Sequence, residues 1–254
     1  MKTLTELTPQ QHQELRIADD CAIQFAQQQN IMNLRVTEVS QAACCMPIFY
    51  VRNSQNGQWV LTGFTSFEQG SNLFIDQGQW SALHTPANMQ TFPFFLMKSP
   101  ENPQQYTIGI DEAHPVFSTT SGQPIFETNG KASLHLSRIK TLLEADIKND
   151  IRTQEFSHYI NQLGLLRPIN ILIQQQNGNT PSLSGLYTID EDKLQSLNKD
   201  TLFELHQKGY LAPIQSMLMS LFQLNALIKK HNKIQTLTPI KSIKLEVSKN
   251  STAA

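Results

Sequence analysis

Hydrophobic and polar positions follow two rhythms along this chain. Thr8-Pro9-Gln10-Gln11 reads as an N-cap threonine, a first-turn proline and a glutamine three after the cap. Leu15, Ala18, Ala22 and Phe25 then recur at helical spacing and predict an opening helix with one inward face. From about 34 to 126 the rhythm shortens to β-like runs, CCMPIFYVR, QWVLTGFTSF, NLFID, FPFFLMK and QYTIGID, and Asn56-Gly57 between the first two predicts a hairpin. Beyond Asn129-Gly130 the helical period returns. Leu136, Ile139, Leu143 and Ile147 form one face, and a second segment opens at Thr153 with Phe156, Ile160 and Leu163 and closes at Gly164.

INILIQQ and GLYTID flank the turn-rich NGNTPS as a further strand pair. Asp190 is placed to cap the helix that follows it, Thr201 with Glu204 forms a capping box, Gly209 ends that helix, and Pro213 opens a longer one. Its stripe of Ile214, Met217, Leu218, Leu221, Leu224 and Ile228 predicts a core-facing helix rather than a Met-rich binding groove. The class expected is α+β: a mainly antiparallel sheet with packed helices in the N-terminal half and a helix-rich C-terminal half. We expect one domain over 1–233, β-rich across 34–128 and helix-rich across 131–233. A flexible or weakly structured tail over 234–254 is expected to follow, in which Ile243 to Val247 could make a short strand.

Composition narrows the function more than the fold. Charged residues are 16% of the 254 and the formal net charge is −1, so no global field draws the chain to nucleic acid or to an anionic membrane. The first residues lack the apolar run of a secretory signal. The apolar zone from Pro213 to Ile228 is interrupted by Gln215, Ser216, Ser220, Gln223 and Asn225, short of the roughly 20 apolar residues that span a bilayer. A cytoplasmic protein without membrane insertion is the expectation. Cys21, Cys44 and Cys45 suit a reducing compartment and read as buried, unreactive thiols.

Motifs for chemistry are few. Asp111-Glu112-Ala113-His114 spells a helicase string, but no G-x-x-x-x-G-K-[ST] accompanies it, since Gly130-Lys131 is followed by Ala132. There is no G-x-S-x-G elbow, and burial would raise rather than activate the Cys44-Cys45 thiols. Asp76, His84, Asp111 and His114 could be imagined around iron or zinc, yet none of the usual short ligand spacings occurs, so no metal and no cofactor is expected. QYTIGIDE and GLYTIDED echo each other, and Asp111 and Asp190 read as turn or cap residues.

EVSQAACCMPIFYVR, WVLTGF, GSNLFIDQGQW, the segment ending FPFFL, IGIDE, the Gly-Leu-Tyr-x-Ile-Asp-Glu-x-x-Leu near 190 and the last long helix together resemble the SapC-like family of bacterial proteins, over Leu7 to Lys230. The resemblance implies an association with bacterial surface layers and genes placed near TonB-dependent receptors, flavin-dependent halogenase-like proteins and cupin-like proteins. It carries no catalytic residue. Many relatives have arginines where this chain has Met89, Gln90 and Thr91, so anion binding is not expected there.

Two classes follow. The first is a non-catalytic binding or accessory protein that recognises a peptide or protein partner in an outer-surface, TonB-linked uptake or peptide-modification system. Its candidate binding residues are Asp76, Trp80, His84, Pro86, Asp111 and His114, while Phe92, Phe94 and Phe95 are read mostly as core. The alternatives are an oxidative tailoring enzyme, with or without a metal, acting on a peptide or small molecule, or a surface-layer structural component.

Overall fold

The computed structural model describes residues 4–102 and 104–248. The fold is α+β, strand-rich in its N-terminal half and helical in its C-terminal half, and every strand pair is antiparallel. Contacts divide the chain into two compact units, one of residues up to 27 with 87–148, the other of 28–86 with 149 onward. This division cuts across the β-rich and helix-rich halves suggested by the sequence.

In the first unit Tyr106–Ile110 pairs with Thr5–Glu6 and with Phe95–Lys98, and Arg16–Ile17 pairs with Phe117–Ser118 and Gln123–Pro124. The predicted opening helix is therefore broken. Only Pro9–His12 and Cys21–Gln27 are helical, Thr8 makes no side-chain cap, and Ile17 is recruited as a strand residue because its side chain is fully buried among Val116, Ile125 and Phe126. Phe92 stacks on Phe25 at 4.5 Å, and Phe92 and Phe94 are core, as their apolarity suggested.

The second unit is built on a six-stranded sheet. In spatial order its strands are Ile240–Val247, Leu166–Gln175, Ser182–Ile189, Ile48–Arg52, Trp59–Phe64 and Ile31–Asn33. The hairpin predicted at Asn56-Gly57 forms around a longer loop, with Val51 opposite Val60 and the Asn53 amide bonded to the Gln58 carbonyl. Within the expected tail the strand allowed at Ile243 to Val247 forms as Ile240–Val247, an edge strand paired along Leu166–Gln175; residues 249–254 lie outside those described.

Helices depart from the periodic reading where tertiary packing outweighs local signals. Leu134–Gln162 is one helix of 29 residues, not two. Its stripes serve different cores: Leu136, Ile139 and Leu143 in the first unit, Phe156 and Ile160 in the second. Thr153, read as a helix start, instead returns its hydroxyl to the Asn149 carbonyl and accepts the Val36 amide. Gly164 does terminate the helix, with φ 64° and the Leu165 amide bonded back to the Ile160 carbonyl. Asp190 caps its helix through the Lys193 amide, but the next is capped by Asn198, not Thr201.

By length and composition Leu211–His231 could cross a membrane, a test that a core helix also passes. Here it is two helices, Leu211–Ser220 and Gln223–His231, that bury Ile214, Met217, Leu224 and Leu227 in the second unit.

Candidate functional site

The segment Leu73 to Pro86 belongs to the second unit and is built from its turn outward. Gln77 and Gly78 take φ of 48° and 73°, the paired left-handed conformations of a tight hairpin turn, and set Ile75 opposite Trp80 and Asp76 opposite Gln79. Asp76 is exposed. Trp80 is half-buried against Phe74, and its indole Nε1 donates to the His84 carbonyl at 2.9 Å, closing the chain between them into a loop.

His84 faces inward. Its Nε2 lies 2.8 Å from Glu38 Oε2, and the two side chains are only 11% and 10% exposed. Glu38 in turn accepts the Arg35 amide at 2.7 Å through its other oxygen, the third-residue carboxylate closing back on the start of a short 3-10 turn. Arg35 pairs with Asp150 at 2.6 Å. The loop is thus tied through two links to the interior, and Pro86 at its far end is buried rather than presented. Between the ties stands Leu83, 89% exposed.

Next to this loop lies the Cys44–Cys45 turn. Burial pushes the Cys45 thiol pKa up against the opposing pull of the His84 and Leu83 amides, which places that thiol at the foot of the loop. Gln223 Nε2 donates to the Cys44 carbonyl at 3.1 Å, and one residue before it Phe222 is 77% exposed, with Met219 also exposed a turn earlier. The Cys44–Cys45 turn thus meets the loop through the Leu83 and His84 amides and meets the last helix through Gln223, the residue after exposed Phe222. Cys44 itself is exposed, against the expectation that all three thiols are buried. Lys230 adds a cation, 3.4 Å from Ser81 Oγ and over the Phe74 ring.

Asp111 and His114 belong to the first unit. The Asp111 carbonyl accepts the His114 amide at 2.9 Å, closing a turn, and His114 rests edge-on against Phe92 with Nδ1 accepting the Val116 amide. Adjacent Glu112 points elsewhere, to His12 Nε2 at 2.7 Å. His12 Nδ1 meets both the amide and the carbonyl of Thr8 at 3.0 Å, so both nitrogens of this buried ring are engaged. A cleft of about 760 Å³ lies here, lined by Gln10, Gln13, Arg16, Phe126 and Glu127 among others, and by none of the six candidate residues. Among the described residues no three His, Cys, Asp or Glu side chains gather into a metal-holding group.

Compared with known protein families, residues 7–227 match the family described as SapC. The chain belongs to the SapC family. No curated protein and no solved structure matches it. The SapC match includes the hairpin loop, the Cys44–Cys45 turn and the Met219–Phe222 corner, and it ends before the edge strand Ile240–Val247.

Sequence reasoning singled out Trp80 and His84 in this SapC chain but missed what they hold. Glu38 was legible in principle, since it stands three residues after Arg35 at a helical start. Leu83 carried no signal, because an isolated leucine in a loop has no periodicity to reveal which way it points.

Proposed function

We propose that this protein is a non-catalytic binding or accessory protein for a peptide or protein partner, working from the cytoplasm in a bacterial outer-surface, TonB-linked uptake or peptide-modification system. The observation that carries this reading is the framed Leu83. A leucine 89% exposed costs apolar hydration, and here it stands on a loop fixed by the Trp80 indole and the His84–Glu38 pair, not on a frayed chain end. Exposed Phe222 and Met219 come just before Gln223, whose side chain bonds the Cys44 carbonyl. Pre-ordered apolar side chains lose little entropy on binding and serve as interface anchors.

The binding reading also fits the groups that an enzyme would need. The Cys45 pKa is raised, so its nucleophilic thiolate is scarce, both ring nitrogens of His12 are committed to internal partners, and Nε2 of His84 is held by Glu38. The test is capture from native lysate at moderate salt, using wild type, L83D and F222D. A stoichiometric protein or peptide retained by wild type and lost by both variants is expected. Absence of any stoichiometric partner, or equal recovery by all three, overturns the proposal.

A further inference from the structure

The edge strand Ile240–Val247 has one strand neighbour, Leu166–Gln175, with Val247 opposite Ile169, Leu245 opposite Ile171 and Ile243 opposite Ile173. The Ser248 amide donates to the Pro168 carbonyl at 3.0 Å in that same register, so residues of even number form the hydrogen-bonded pairs. Ile243, Leu245 and Val247 therefore turn their backbone N–H and C=O groups away from the sheet. No other strand pairs with them among the described residues.

Their side chains lie on the face of Ile169, Ile171 and Ile173, which are buried core. At the edge that face runs out of cover: Leu245 is 37% exposed and Val247 57%. On the opposite face Lys244 and Glu246 sit two residues apart and pair at 2.7 Å, both open to solvent. A lysine in an edge strand normally guards against pairing with another edge. Here the glutamate two positions on cancels that guard for one partner only.

We propose that this strand pairs antiparallel with the same strand of a second copy of the chain, about a two-fold axis at Leu245, joining two sheets into one. Antiparallel pairing requires residues with outward amides to stand opposite each other, so Leu245 meets the partner's Leu245 and Ile243 meets the partner's Val247. In that register Lys244 falls opposite the partner's Glu246, and Glu246 opposite the partner's Lys244. These are the non-hydrogen-bonded positions, where side chains approach most closely. Shifting the axis by one residue, to Lys244, would set Lys244 against itself. Charge, apolar facing and backbone parity thus select one register and one occupant. The exposed intrachain Lys244–Glu246 pair contributes little and is readily exchanged. A single edge is small beside a standard interface, so the dimer is weak and concentration-dependent.

The test is sedimentation equilibrium of the full chain over a wide concentration range, for wild type, K244E, E246K and an equimolar mixture of these two variants. Wild type is expected to dimerise. Each variant alone places like charges opposite each other twice and should bind itself at least about tenfold more weakly. Mixed, the two variants restore both attractive pairs and should recover the wild-type association as a heterodimer. Both variants are surface substitutions, so folding does not confound the result, and circular dichroism checks it. A wild type that stays monomeric up to its solubility limit overturns the proposal, and so does a mixture that associates no better than the separate variants.

Discussion

His84→Ala separates the frame of the loop from its tip. The substitution removes the imidazole 2.8 Å from Glu38 and leaves a carboxylate only 10% exposed, still bonded to the Arg35 amide. A hydrogen bond to a charged group contributes about 1.5–3 kcal/mol, whereas a solvent-exposed pair gives about 0–1. Side-chain exposures of 11% and 10% put this pair nearer the first range, and about 2 kcal/mol should be lost. For a chain of this size that corresponds to a fall in Tm of roughly 4–8 °C. Both tryptophans, Trp59 and Trp80, lie in the second unit, so urea unfolding followed by tryptophan fluorescence reports the unit that carries the loop. L83D is the control: an exposed tip should change stability by no more than about 0.5 kcal/mol. If H84A also stays within about 0.5 kcal/mol of wild type, the His84–Glu38 contact does not hold the loop. If L83D falls as far as H84A, Leu83 is packed and not presented.

Thiol labelling of the folded protein should modify Cys44 first, Cys45 more slowly and Cys21 last, because burial raises the pKa values of Cys45 and Cys21, the latter from 9.0 to about 11. The raised Cys21 value favours the neutral thiol of the folded state. Its stabilisation is fully present below pH 9 and is lost as pH rises toward about 11, so a C21A variant should show a shallower loss of stability over that window in pH-dependent denaturation. Gln77→Gly should stabilise the second unit by about 0.5–1 kcal/mol, since φ of 48° strains a residue with a Cβ; an unchanged or lower denaturation midpoint would contradict the turn geometry. Gly122→Ala should cost about 2 kcal/mol or more by thermal melt, because φ is 97° there and a Cβ would strike the Ile17 carbonyl. At dilutions that keep the chain monomeric, amide exchange along the edge strand should alternate, slow at Ser242, Lys244 and Glu246 and fast at Ile243, Leu245 and Val247.

The elements most legible in the sequence were those whose signals are local. Asn56-Gly57 demanded a hairpin, Gly164 a helix end and Asp190 a cap, and each is found in place. Long-range competition hid the rest. The opening helix lost its middle to Arg16–Ile17 because that pair completes a three-stranded sheet with residues a hundred positions away. The break in Leu134–Gln162 was inferred from a change of stripe, yet one continuous helix can serve two cores in succession. The tail looked polar because an edge strand presents Lys241, Lys244 and Glu246 to solvent, and only its partner strand reveals the order. At the candidate site Trp80 and His84 are the chemistry-bearing letters, but their polar atoms turn inward to fix the loop. Asp111 and His114 fell in the other unit, in a turn of their own.

The most direct test of partner binding is a photo-crosslinking residue placed at Leu83 and expressed in the native cells, with the same residue at exposed Asp200 as control. A discrete adduct with one protein or peptide, formed from position 83 and absent from position 200, is the predicted result. No adduct at position 83, or the same diffuse products from both positions, would contradict the reading of this loop as a docking surface.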